Sequence, residues 1–219
     1  MSLIFQEFDK EELLKNKKYS IGLDLSTVST GMALYDMEKE KIIETRAVTY
    51  DKENKIFVQA EIISQQIEEW KERYSLTIDN TIYAKEKQPV QYGAKTTVNT
   101  LISIAKLHGL IENKFFIDKI PLLDLAVPTI RKVVVSNYKA EKEEVYDFIQ
   151  NKFSELNLTG KSGKDISDAI AVCLAAKEGM IQEYKEIIKE LTKEKKEYKT
   201  VAKQQLIEEK INKIKRKLG

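Results

Sequence analysis

Residues 19–36 read YSIGLDLSTVSTGMALYD, and the two apolar runs flanking its hydroxyl-rich middle decide the fold. Tyr19–Leu25 has the length and apolar density of a buried strand. Ser26-Thr27-Val28-Ser29-Thr30-Gly31 is a turn of small hydroxyl residues, and Met32–Asp36 is a second strand. Side chains alternate along a strand, so Gly22 and Asp24 share one face while Ile21, Leu23 and Leu25 share the other. Asp24 thus stands near a strand's carboxyl end, where open sheets place ligands. A carboxylate inside IGLDL is costly to bury unless it is paired, caps a turn or binds a cation.

The MEKEK stretch leads into a third strand, Ile42–Tyr50, and the short connections imply an antiparallel meander. Ile56, Ala60, Ile63, Ile67 and Trp70 recur at helical spacing. Thr81–Lys87 reads as a fourth strand, Ala94–Lys114 as a second helix and Pro121–Val127 as a fifth strand. A third helix is expected over about Ala140–Phe153, then a loop at Asn157–Gly163, with helix from Lys164 to the end. The order β-β-β-α-β-α-β-α-α is mixed α/β. Three parts are expected: a lead-in over 1–18, a main domain over 19–176 and a basic helical extension over 177–219. In the extension, Ile181, Tyr184, Ile188, Leu191, Tyr198 and Ala202 form a narrow, irregular apolar seam. Dimer contact, DNA contact and packing on the chain's own body remain open for it.

The chain has 219 residues, 33% of them charged, and a net charge of +2. That near-neutrality hides an asymmetry. From Lys177 onward there are 13 Lys/Arg against 8 Glu, whereas residues 1–176 carry a net −3. A basic tail is compatible with nucleic acid, and equally with a solvated helix face. The single cysteine, Cys173, excludes an internal disulfide and a cysteine-based zinc site, and reads as a buried thiol. No stretch approaches the ~18 apolar residues of a membrane span, and no signal peptide is evident, so a cytoplasmic location is expected.

Four carboxylates carry the chemistry. Besides Asp24, Glu86 lies at the end of the fourth strand with Ile82 and Ala84 on its face, while Tyr83, Lys85 and Lys87 point the other way. On its own it reads equally well as a surface acid paired with a lysine. Asp165 and Asp168 in KDISDAIAVCLAA fall on one face of a helix start. Acids are common there because the helix dipole favours them. Hard oxygen donors without a histidine or cysteine cluster point to Mg²⁺ or Mn²⁺. Two such ions about 4 Å apart serve phosphodiester hydrolysis. The lone histidine, His108, reads as structural. Arg131, Lys132, Lys139 and Lys142 in IRKVVVSNYKAEKEEV form a basic cluster, which is either a phosphate contact or an ordinary solvated face.

These stretches resemble the RuvC-like Holliday junction resolvases, especially the divergent bacteriophage members, from about Tyr19 to Ala176. GLDLSTVSTG resembles the family's first acidic strand and KEKQ its glutamate strand. VVVSNYKAEKEEV is similar to the segment ending in Ala-Glu-Lys that donates a basic residue, and KDISDAIAVCLAA to the D-x-x-D-A helix. The resemblance implies an RNase H-like fold, a homodimer and Mg²⁺-dependent nicking of four-way junctions. It assigns catalytic and metal-binding roles to Asp24, Glu86, Asp165 and Asp168, and places Lys142 nearest the scissile phosphate. Arg131 stands where the family has a backbone-contacting lysine. Lys85, Lys87, Lys132 and Lys139 join Arg131 and Lys142 as expected DNA contacts. Bacterial members place an aromatic residue just after the glutamate, whereas this chain runs Lys87-Gln88-Pro89-Val90. That departure suggests a broader taste for branched DNA, including three-way junctions and forks. Two other readings are a non-catalytic branched-DNA binder on this fold, and an actin-like nucleotide-binding phosphotransferase, which would begin with a similar IGLDL strand.

Overall fold

Tyr19–Asp24 (β1) and Ser29–Asp36 (β2) pair antiparallel, with Asp24 opposite Gly31. Lys41–Thr49 (β3) extends the meander on the far side of β2. Thr81–Glu86 (β4) joins β1 in parallel, and Leu122–Leu125 (β5) joins β4 in parallel. The computed structural model, described here for residues 17–50, 55–88, 97–197 and 201–218, therefore holds one five-stranded mixed sheet in the order β3-β2-β1-β4-β5.

The alternation read from the sequence divides the core as expected. Ile21, Leu23, Met32, Leu34 and Tyr83 pack beneath Ile56–Tyr74 (α1) and Val98–Ile117 (α2). Ala33, Tyr35, Ile82 and Ala84 face Val127–Val135 (α3), Lys142–Lys152 (α4) and Gly160–Glu197 (α5). On this second face, glycine lets helix meet sheet at backbone contact. A methyl group on Gly22 would fall 2.2 Å from the Ala169 carbonyl oxygen, and one on Gly31 would fall 1.9 Å from that of Asp165. Ser20 Oγ donates to the Cys173 carbonyl at 3.2 Å, and the buried Cys173 thiol donates to the Ala33 carbonyl at 3.2 Å. Along β1 from residue 20 to residue 24 the helix is therefore met from Cys173 back toward its first turns. That direction carries Asp165 and Asp168 to the end of β1 that holds Asp24.

Three features differ from the sequence expectation. Val127–Val135 is a helix of its own, entered through Pro128 in its first turn, where a missing N–H costs nothing. The long helix begins at Gly160 rather than Lys164. It is followed by Val201–Leu218 (α6), which packs against α5 with Ile207, Ile211 and Ile214 buried. Nearly all of the lead-in, the start of the expected second helix and Pro89–Val90 lie outside the described residues. Among the described residues no helix is long and apolar enough to cross a membrane.

Candidate active site

Parallel pairing of β1 with β4 sets Leu23 beside Lys85, so Asp24 and Glu86 end neighbouring strands on the same face. Asp168, on the third turn of α5, reaches the same place from above. Asp24, Glu86 and Asp168 line one cleft together with Arg131 from α3 and Lys142 from the first turn of α4. Val127, Ile130, Val145 and Ala171 complete its wall. Asp165 is not part of that lining, but it is close enough to act electrostatically on both Asp24 and Asp168. Its Oδ2 is buried without a hydrogen-bond partner.

The charges inside the cleft are held uncomfortably. Burial, reinforced by Asp168 and Glu86, pushes the Asp24 carboxyl up to about 8, against a partial offset from Lys142. Burial also raises Glu86, with Asp168 adding to it and Lys142 and Arg131 opposing. Asp168 is raised by burial in spite of its contact with Lys142. The Lys142 ammonium is penalised by burial, yet Asp168, Asp24 and Glu86 outweigh that and raise its pKa. Lys142 Nζ forms an ion pair with Asp168 Oδ2. Like charges gathered in a low-dielectric recess favour uptake of a proton or a cation.

Among the described residues no three His, Cys, Asp or Glu side chains converge tightly enough to ligate an ion as they stand. The donor chemistry nevertheless fits a hard divalent cation. The donors are carboxylate oxygens alone, one of them an orphaned buried Oδ2, in a site whose electrostatics already call for positive charge.

The expected basic contacts divide. Arg131 lines the cleft, and Lys87, Lys132 and Lys139 are exposed outside it. Lys85 is corrected. It is only 1% exposed, because the sheet face opposite Glu86 is covered by α2. Its Nζ lies 2.8 Å from Glu112 Oε1, 2.5 Å from Asp124 Oδ1 and 3.3 Å from His108 Nδ1. A side chain enclosed in that way does not reach a phosphate. His108 is buried and kept neutral, its pKa lowered to about 4 by burial and by Lys85. Sequence reading missed Glu112 and Asp124 as partners of Lys85. The available signal was the strand alternation itself, which put Lys85 under a helix.

A five-stranded mixed sheet of this order, flanked by helices, is an RNase H-like fold. The model of the crossover junction endodeoxyribonuclease RuvC family matches residues 21–176, and the chain belongs to that family. Its enzyme class is accordingly that of an endodeoxyribonuclease. The fold is similar to that of Thermus thermophilus RuvC, at 15% identity and a TM-score of 0.55, covering 72% of this chain and 92% of the other. The same protein in complex with a Holliday junction substrate matches equally, at 15% identity, a TM-score of 0.55, and 72% and 90% coverage. No curated protein sequence matches the chain. The second half of α5 and all of α6 lie beyond the family match.

Proposed function

We propose that the chain is a Mg²⁺-dependent, structure-selective endonuclease that nicks Holliday junctions and other branched DNA as a homodimer in the cytoplasm. The observation that carries this reading is the convergence of Asp24, Glu86 and Asp168 with Arg131 and Lys142 in one cleft, Asp165 alongside, on a RuvC-family fold. Two Mg²⁺ ions, or Mn²⁺ in their place, would be held by Asp24, Glu86, Asp165 and Asp168, and would supply water activation and stabilisation of the departing 3′ oxygen. The protein supplies the rest. Arg131 and Lys142 neutralise the scissile phosphate from α3 and α4, and Lys142 exchanges Asp168 for a phosphate oxygen as the strand enters. Lys87, Lys132, Lys139 and the basic extension add salt-dependent affinity for the backbone without reading sequence.

A dimer is supported by α2. Val98 (70% exposed), Ile102 (47%), Ala105, Gly109 and Phe116 fall on one helical stripe, opposite the buried Leu107, Ile111 and Phe115. At Gly109 an added Cβ would meet nothing within 4 Å, so a second copy of the helix can approach closely there. A twofold pair places two clefts on the two symmetric strands of a junction.

The test is cleavage of labelled four-way, three-way and linear duplex DNA, with and without Mg²⁺. Paired nicks in branched substrates only with metal are expected, together with loss of cutting but not of junction binding in Asp24→Asn and Asp168→Asn. Full cutting by both variants would refute the site. Junction binding with no cutting by the wild type in Mg²⁺ or Mn²⁺ would favour the non-catalytic reading instead.

A further inference from the structure

Tyr138 has no part in the chemistry above, yet it is presented to solvent in an organised way. It lies in the short connection between α3 and α4, is 58% exposed, and belongs to neither apolar core. The connection is anchored on both sides of it. Ser136 adopts the left-handed backbone at φ 58°. Asn137 Oδ1 accepts the Lys139 N–H at 3.0 Å, and the Asn137 carbonyl accepts that of Ala140 at 3.1 Å. Ala140 is fully buried, and α4 then opens with a reciprocal Glu141–Glu144 capping box. Pinned in this manner, the turn holds the ring outward at little entropic cost. Lys139 Nζ lies 5.4 Å from the ring centroid, within range of its π face.

Position gives the pair its meaning, since a solitary exposed aromatic needs no explanation. Tyr138 follows Arg131 by seven residues and precedes Lys142 by four, and both of those line the cleft. Four residues reach at most roughly 14 Å, or about four base steps of 3.4 Å. An aromatic face beside a lysine at that distance from a phosphate-cleaving site matches the chemistry of single-strand recognition, in which rings stack on bases and cations take the adjoining phosphates. Linear duplex offers it little, because base faces there are already stacked. A branch point exposes them.

We propose that Tyr138 and Lys139 form a stacking site for one unstacked nucleotide near the scissile phosphate, and that this site favours branched over linear DNA. The inference rests on the functional reading above. Lys139 neutralises the neighbouring phosphate, and the phenol hydroxyl is dispensable because the ring face does the binding.

The experiment uses the full chain in EDTA, so that nothing is cut. The probe is a four-way junction carrying 2-aminopurine in turn at each nucleotide within four of the exchange point. Binding should change the fluorescence at one or more positions. Tyr138→Ala should abolish that change and weaken junction binding by roughly tenfold, leaving linear-duplex affinity unaltered. Tyr138→Phe should retain both. Lys139→Ala should keep the fluorescence change and lower the salt slope of binding by about one. The stacking role is overturned if Tyr138→Ala behaves as wild type, if Tyr138→Phe loses as much as Tyr138→Ala, or if wild type prefers the junction with no position responding. A wild type with no preference for the junction over linear duplex would instead refute the functional reading beneath it.

Discussion

Replacing Asp24 by Asn tests the electrostatic state of the cleft without relying on catalysis. The Asp24 carboxyl is raised from its ordinary 3.8 to about 8 by burial, Asp168 and Glu86. The folded protein therefore holds a proton at Asp24 that the unfolded chain releases above pH 4. Between pH 4 and 8 the folded state binds more protons, so stability falls as pH rises through that window. At ~1.4 kcal/mol per pH unit the whole shift sets a ceiling near 6 kcal/mol. Asp24 is only partly buried, and solvent screening reduces this to the order of 2–3 kcal/mol. Asparagine does not titrate, so in EDTA the variant should become the more stable form by that amount at pH 8.5, a gain of about 5–10 °C in Tm. At pH 5, where only the first part of that window has been crossed, the gap should be much smaller. Mg²⁺ at a hundred times its Kd should restore about 2.7 kcal/mol to the wild type, and little to the variant. Thermal and urea unfolding from pH 5 to 9 measure all of this. Parallel pH–stability curves for the two proteins, with equal response to Mg²⁺, would show that the carboxylates are not crowded and that the cleft is no cation site.

Three further outcomes follow from packing. Gly31→Ala would drive a methyl into the Asp165 carbonyl. We expect a loss of about 3 kcal/mol and a cleavage rate down on the order of a hundredfold as α5 shifts its carboxylates, read by urea unfolding and single-turnover cutting. Lys85→Ala would strand Asp124 and Glu112 beside an unpaired recess. It should cost about 3 kcal/mol while the salt slope of DNA binding stays unchanged, whereas a phosphate contact would lower that slope by about one. Ile102→Asp, at an exposed site, should yield a folded monomer by analytical ultracentrifugation at micromolar concentration. A dimer that survived would move the interface away from α2.

How much was legible in the sequence depended on how strongly the local pattern constrained each residue. Asp24 and Glu86 were readable because a period of two leaves no freedom: once Ile21, Leu23 and Tyr83 are assigned to one face, both acids lie on the other. The pairing of β1 with β4, which brings those acids together, is a non-local choice that only the complete sheet reveals. Helix α3 escaped notice because nine residues bury only Ile130 and Val134, too few for periodicity to register. Its valine run also suits a strand. Arg131 could be flagged as basic, but its delivery into the cleft depends on that helix. The enclosure of Lys85 is not legible from its neighbours in sequence. Its burial depends on two acids supplied by other elements, Glu112 from α2 and Asp124 from β5, and no local window contains all three.

Helix α5 carries Asp165 and Asp168 near its start and continues without interruption to Glu197, some twenty residues past the family match. An α-helix advances about 1.5 Å and turns about 100° with every residue. A single-residue insertion just past Ala176 would therefore swing the distal turns, with α6 attached, by more than a quarter revolution while the carboxylates stayed where they are. An insertion of four would nearly restore the original phase. The azimuth of the appended helices about the α5 axis is set by residue count along this one rod, so viable changes in its length should come in near-whole turns.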